Sequence, residues 1–292
     1  MRPTRLVLFV ALCLIGNDAL AFGQMPFYTD DPAVTERGTL HFEAFNEFDG
    51  LQSAQYPDLR QNTVNYKLNY GLAFNLELDA DAPYLSIYRA SGSQTSSGPG
   101  DTDMGVKWQM RRAARPLAAP AVAASLYIEF PTGDTKQELG SGLTDYWLNL
   151  IAQEPLSDKT RVTANFGFLF AGNTSTGVLG IQTTRGHVYT GGLSLLHDWT
   201  QRLTAGVEVY GGVADNHGLG KDQLQGLGGG VYELRNGLSV TFALLGGSHI
   251  ASPQIGGQVG FEVDFPAVLH RSAGNQALLN PDTSISARWR SR

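Results

Sequence analysis

Three short groups in this sequence have the residue types of hydrolytic chemistry: Asp101-x-Asp103, His197-Asp198 and Ser248-His249. Paired carboxylates beside a His–Asp pair can activate water, and a histidine can deprotonate a serine to make a nucleophile. A second set carries charge without an obvious reactive partner: Glu43, Glu47, Lys67, Glu77, Asp79, Lys107, Glu129, Glu208, Glu262 and Asp264. Fixed charges of that kind line pores and select what passes. The six histidines are scattered, with no i, i+2 pair on one segment, so no metal and no cofactor is expected. Which set matters depends on the elements that hold these residues.

Those elements are short segments alternating apolar and polar residues. In the last of them Ile255, Gly257, Val259, Phe261, Val263 and Phe265 share one face, and Gly256, Gln258, Gly260, Glu262 and Asp264 the other. A period of two is the signature of a strand, and about ten residues of it suits a strand that crosses a membrane. Twelve strands are expected, at 39–48, 61–70, 72–84, 102–111, 120–130, 143–153, 160–170, 186–196, 202–213, 223–234, 237–247 and 255–265. The same parity rule holds throughout. Val64, Tyr66, Leu68 and Tyr70 oppose Thr63, Asn65, Lys67 and Asn69, while Leu72, Phe74, Leu76 and Leu78 oppose Ala73, Asn75, Glu77 and Asp79.

The chain opens with Met1-Arg2-Pro3-Thr4-Arg5, an apolar run from Leu6 to Ile15, and Ala19-Leu20-Ala21. A positive n-region, a short apolar core and an A-x-A site make a secretory signal peptide over residues 1–21. The run falls short of the roughly 20 apolar residues of a membrane-spanning helix. Cleavage after Ala21 would remove Cys13, the only cysteine, and with it any disulfide or thiol chemistry. Removing Arg2, Arg5 and Asp18 leaves 19 basic against 26 acidic residues, an acidic chain without basic clusters, which argues against nucleic-acid binding.

Connections add the topology. Tight turns are expected at Tyr70-Gly71, Ser157-Asp158-Lys159 and Arg235-Asn236-Gly237, with a slightly longer one from His197 to Gln201. Longer polar loops fill 49–60, 89–101, 131–142, 171–185, 214–222 and 248–254. Alternating long loops and short turns fit an all-β, transmembrane, antiparallel up-and-down barrel of about twelve strands in an outer membrane. Long loops face outside, short turns face the periplasm, and both barrel ends are periplasmic. Aromatics near the strand ends form the two girdles: Phe130, Tyr146 and Phe170 at the outer rim, and Tyr70, Trp108, Tyr232 and Phe265 at the inner. The barrel spans 39–265, preceded by a periplasmic or luminal segment at 22–38 and followed by a periplasmic tail at 266–292 with a basic end at Arg288, Arg290 and Arg292.

In this topology His197 and Asp101 lie a membrane apart, and Ser248-His249 sits on an outer loop with no third partner, so no enzyme is expected. The ten charged residues instead take the lumen-facing parity, because facing lipid would cost roughly 2–4 kcal/mol for a mid-depth lysine. The Tyr70-Gly71 turn sets a register that puts Lys67 near Asn75 or Glu77, giving a Lys67–Glu77–Lys107 cluster. Structural pairing and a direct solute role both remain open for it.

Gly98-Pro99-Gly100-Asp101-Thr102-Asp103-Met104-Gly105-Val106-Lys107-Trp108 resembles a G-x-G-D-x-x-x-G-x-K-aromatic pattern. Phe27-Tyr28-Thr29-Asp30-Asp31-Pro32, Leu126-Tyr127-Ile128-Glu129-Phe130-Pro131-Thr132-Gly133-Asp134 and a glycine-rich C-terminal half complete the likeness. Together they are similar to the outer-membrane family called MetA-pathway of phenol degradation, distantly like the long-chain fatty-acid channels. That resemblance implies a barrel passing small hydrophobic or aromatic molecules by passive diffusion. A closed structural or adhesive barrel, and a lipid-modifying enzyme, are the alternatives. By analogy with the fatty-acid channels, Phe22 to Arg37 would be a luminal plug; a periplasmic leader is the other reading. Gln258-x-Gly260-x-x-Val263-x-Phe265 resembles the signal read by the barrel-insertion machinery, although here it does not end the chain. Expected partners are therefore outer-membrane lipid, that machinery and a small-molecule substrate.

Overall fold

The structure is a computed structural model and describes residues 26–113, 115–171, 186–214 and 222–266. The expected signal peptide, the tail beyond Pro266 and most of the 171–185 and 214–222 loops lie outside the described residues. Twelve strands close into an antiparallel barrel, and a thirteenth, short strand rides on its rim. In chain order they are β1 Thr39–Gly50, β2 Asp58–Gly71, β3 Leu76–Arg89, β4 Ser96–Pro99, β5 Thr102–Arg111, β6 Ala121–Phe130 and β7 Asp145–Pro155. Then follow β8 Thr160–Ala171, β9 Gly186–Asp198, β10 Leu203–Ala214, β11 Gln223–Arg235, β12 Leu238–Gly247 and β13 Ile255–Pro266.

Each strand pairs with its sequence neighbour, except that β4 pairs only with the outer end of β3, and β3 continues the wall to β5. Closure comes from β1 against β13, in register from Thr39↔Pro266 to Gly50↔Ile255. With no open edge, every wall strand has two hydrogen-bonded neighbours, as hydrocarbon requires.

Parity along the strands decides what faces where. Large apolar residues such as Leu78, Val106, Leu148, Leu150, Phe166, Val207 and Leu244 are 36–73% exposed, a face with no protein covering it. Their neighbours one residue away are buried and polar, among them Glu77, Asp79, Lys107, Ser125, Asn149, Asn165 and Glu208. A soluble sandwich hides its apolar face; this molecule hides its polar one. Lipid is the solvent that makes such an arrangement stable. Phe130, Tyr146, Trp108, Tyr232 and Phe265 all lie on the exposed face.

Two connections differ from expectation. The turn after β2 is not Tyr70-Gly71 but residues 72–75, so Leu72 and Phe74 leave the strand. Phe74 and Asn75 take left-handed φ values of 63° and 58°. Two successive residues of that kind make a hairpin reversal, and Asn75 is a residue type that tolerates it. The inner connection at 112–120 is also longer than the outer one at 51–57.

Candidate functional site

All ten predicted charged residues take the inward parity. Glu43, Glu47, Glu77, Asp79, Lys107, Glu208 and Glu262 are buried, while Lys67, Glu129 and Asp264 are half-buried. The predicted three-residue cluster forms only in part. Glu77 and Lys107 are register partners joined by a 3.0 Å ion pair. Lys67 is not with them: the turn at 72–75 shifts the hairpin, so Lys67 faces Asp81 on β3 and Glu43 on β1. His41 links two predicted acids, with Nδ1 2.6 Å from Asp264 and Nε2 3.0 Å from Glu43.

The lumen is crossed by residues 27–37. Phe27 packs on the inward residues Leu227, Ala243 and Leu245 of β11 and β12. Glu208 on β10 accepts from the backbone N–H groups of Tyr28 at 3.0 Å and Thr29 at 2.5 Å. The Tyr28 ring stacks on Tyr210 at 5.6 Å, and its hydroxyl donates to Glu47 on β1 at 2.6 Å. Asp30 lies 3.3 Å from Lys107, Gln109 donates to the Pro32 carbonyl at 2.8 Å, and the Thr35 N–H donates to Glu77. With its amide oriented to match, Asn165 on β8 accepts from the Asp30 N–H at 2.6 Å and donates to its carbonyl at 2.9 Å. Gly192 makes room for the crossing, since a Cβ there would overlap Thr29 Oγ1. Backbone and side chains of this one segment thus bond to β1, β3, β5, β8 and β10, and an irregular chain at membrane depth is satisfied by protein.

The short motifs meet in space. Asp101 accepts from the N–H groups of Gly133 at 2.8 Å and Ser141 at 2.6 Å, and Thr132 Oγ1 donates to the Gly100 carbonyl at 2.9 Å. The G-x-G-D and P-T-G-D stretches therefore clasp each other at the outer rim, and Asp101 organises a loop. Gly105 leaves space that a Cβ would fill with clash against the Tyr127 ring, whose hydroxyl donates to Asp79 at 3.0 Å. Asp30 and Lys107 join the N-terminal motif to the G-x-K one.

The reactive-looking groups stay apart. His197 contacts Thr160 Oγ1 at 2.8 Å, at the barrel end opposite Asp101. Ser248 and His249, both exposed, touch at 3.1 Å in the 248–254 connection. Among the described residues no group of three His, Cys, Asp or Glu could hold a metal ion. The inward aromatics Tyr127 and Trp147 were not anticipated. Their signal is in the sequence, because they share parity with Glu129 and Asp145.

The sequence pattern of the MetA-pathway of phenol degradation family matches residues 29–265. No curated protein matches the chain. Among solved structures, the COG4313 outer membrane channel from Pseudomonas putida F1 superposes with a TM-score of 0.62 at 14% identity, over 80% of this chain and 98% of that one. A KdgM porin in complex with disordered oligogalacturonate gives 0.51 at 11% identity, over 77% and 99%. The translocator domain of the autotransporter NalP from Neisseria meningitidis gives 0.50 at 14% identity, over 77% and 88%. These likenesses share the barrel fold.

Proposed function

The chain belongs to the MetA-pathway of phenol degradation family of outer-membrane β-barrels, and on that premise we propose that it is a channel passing small hydrophobic or aromatic molecules by passive diffusion. The observation that carries the solute class is an apolar band on the inward parity. Tyr127, Trp147, Leu169 and Val188 are successive register partners across β6 to β9. The Tyr127 and Trp147 rings lie 6.1 Å apart. Apolar side chains at inward positions give an aromatic solute a surface that a water-filled polar pore would lack. Charged residues around the band, from Glu43 to Asp264, would orient the solute and exclude anions. Lipid is the partner of the outer face, and the Gln258–Phe265 pattern is the segment through which the insertion machinery would act.

The crossing by residues 27–37 favours a second reading, a closed barrel whose outer loops bind a partner. One experiment separates them. Liposomes carrying either the full mature chain or a variant lacking residues 26–36 are given a panel of neutral aromatic, aliphatic and hydrophilic solutes of equal size. The channel reading expects flux of the aromatic members through the full chain, rising several-fold in the variant. A full chain and a variant that both pass nothing would leave the closed barrel.

A further inference from the structure

Where β1 runs out toward the external connections, two acidic side chains share one small space. Glu47 and Asp49 are alternate residues of β1, so both point inward. They are 5% and 0% exposed and stand within hydrogen-bonding reach of each other. Their partners differ completely. Both oxygens of Glu47 take the Tyr28 hydroxyl, at 2.7 and 2.6 Å, and one also accepts from Gln258 Nε2 at 2.5 Å. Neither oxygen of Asp49 has a hydrogen-bond partner.

A third, uncharged side chain turns the pair into a ligand set. Gln258 on β13 is the register partner of Glu47 and is 6% exposed. Its amide nitrogen holds Glu47, and the oxygen of that same amide is buried with no partner. Gly256 faces Asp49 across the same seam, and a Cβ there would overlap Asp49 Oδ1, so the glycine lets this carboxylate lie against β13. The three unmet atoms, Asp49 Oδ1 and Oδ2 and Gln258 Oε1, are all acceptors. Burying an unmet acceptor is costly, most of all a charged one. A proton shared between Glu47 and Asp49 would satisfy one of the three. A hard cation satisfies several together, because it gathers oxygens from carboxylates, amide carbonyls and water.

The outer connections close this end of the seam. Gln52 Nε2 donates to the Gly247 carbonyl at 2.9 Å, Gln55 Nε2 to the Ile250 carbonyl at 2.8 Å and the Gln254 N–H to the Gly50 carbonyl at 2.8 Å. Leu51, Ala251 and Ser252 are buried there. Shielding from water strengthens the attraction between a carboxylate and a cation. Mg²⁺ demands near-ideal octahedral geometry and gives up its water reluctantly, whereas Ca²⁺ accepts a bidentate carboxylate and an irregular oxygen set. Among the described residues no group of three His, Cys, Asp or Glu could hold a metal ion. This set does without a third, since an amide oxygen joins its two carboxylates.

We infer that Glu47, Asp49 and Gln258 form a Ca²⁺ site at the outer end of the β1–β13 seam, with water completing the shell. Because the Tyr28 hydroxyl is bonded to Glu47, the ion also steadies the segment that crosses the lumen. The inference needs no solute route and holds for a conducting and a closed lumen alike. The full mature chain, refolded from urea into detergent and stripped with EDTA, is dialysed against radioactive Ca²⁺. It is expected to bind about one ion per chain with a Kd of about 10⁻⁴ to 10⁻³ M, the range of extracellular Ca²⁺ modules, and Mg²⁺ should compete weakly. Asp49→Asn should weaken binding roughly tenfold, Gln258→Leu should weaken it less, and Asp198→Asn at the opposite barrel end should leave it unchanged. Heat-modifiable gel migration confirms that each variant is a folded barrel. If Asp49→Asn does not fold, Gln258→Leu, which removes no charge, decides the matter. A parent that binds no Ca²⁺ over this range, or binding that is unchanged in the Asp49 and Gln258 variants, would overturn the inference. So would an infrared band of a protonated carboxyl group in the Ca²⁺-saturated parent that Asp49→Asn removes, because the pair would then hold a proton in place of the ion.

Discussion

The two halves of the inner wall solve the same problem with different chemistry. From β13 round to β7 the inward residues are densely charged, with Glu43, Glu47, Lys67, Glu77, Asp79, Asp81, Asp103, Lys107, Glu129, Asp145 and Glu262. From β8 to β12 they are mostly small or neutral, such as Thr163, Thr190, Gly192, Ser194, Gln223, Gln225 and Thr241, with Glu208 standing alone at mid-strand. The N-terminal segment reads both halves. Its Phe27 and the amides of Tyr28 and Thr29 go to the neutral half, while its Asp30 and the Thr35 amide go to Lys107 and Glu77 in the charged half. The charged half is therefore held by pairing and the neutral half by close approach. Each should fail in its own way.

The charged half should fail hardest. Lys107 is 6% exposed and is the cation for both Glu77 and Asp30. Lys107→Met would leave two carboxylates facing each other in a buried setting, with Asp79 close by. Removing one partner of a buried pair typically costs about 3–5 kcal/mol. The urea midpoint of the refolded barrel, followed by heat-modifiable migration, should fall accordingly. Adding Glu77→Leu should restore part of the loss, because one uncompensated carboxylate goes with it. A Lys107→Met barrel as stable as the parent would mean that pairing does not hold this half.

In the neutral half the sensitive quantity is space. Gly192 sits under the crossing segment, and a Cβ there would overlap Thr29 Oγ1 and approach Tyr210 Cδ2 to 2.9 Å. Gly192→Val should cost about 1–3 kcal/mol, the usual range for overpacking. The same substitution in the variant lacking residues 26–36 should cost much less, since the obstructing threonine is gone. Equal cost in both backgrounds would show that Gly192 serves the wall itself and not the segment.

How much of this contrast was legible in the sequence follows from what alternation can encode. Parity alone separates Glu208 from Val207 and Leu148 from Asn149, so the barrel, most strand positions and the inward charges could be read directly, whereas β3 begins four residues later than expected and β4 lies in the expected 89–101 loop. Register could not, because it hangs on turn geometry: left-handed Phe74 and Asn75 move Lys67 from Glu77 to Asp81. The inward aromatics were hidden for a different reason. Tyr127 and Trp147 look like girdle residues until parity is checked strand by strand. Residues 27–37 lack the strand alternation, so parity could not choose between a luminal plug and a periplasmic leader; that choice depends on partners as distant in sequence as Glu208. The clasp between Asp101 and Gly133 likewise joins two motifs that sequence order keeps apart.

The smallest effect gives the sharpest control on the comparison. Arg161 on β8 and Asp198 on β9 form an ion pair at 2.9 Å, as well shaped as Glu77–Lys107, but at the barrel end and with side chains 23% and 36% exposed. Water already solvates both groups there, so little desolvation has to be offset and little is lost when the pair breaks. Exposed pairs of this sort contribute roughly 0.2–1 kcal/mol. Thr204 also donates to Asp198 at 2.7 Å, which leaves that carboxylate a partner after the arginine is gone. Arg161→Gln should therefore move the urea midpoint by less than about 1 kcal/mol, and raising the salt should shrink even that, while the cost of Lys107→Met stays nearly constant with salt. If the two substitutions proved equally costly, burial would not be what distinguishes the charged wall, and the ammonium at Lys107 would be no more than one rim charge among others.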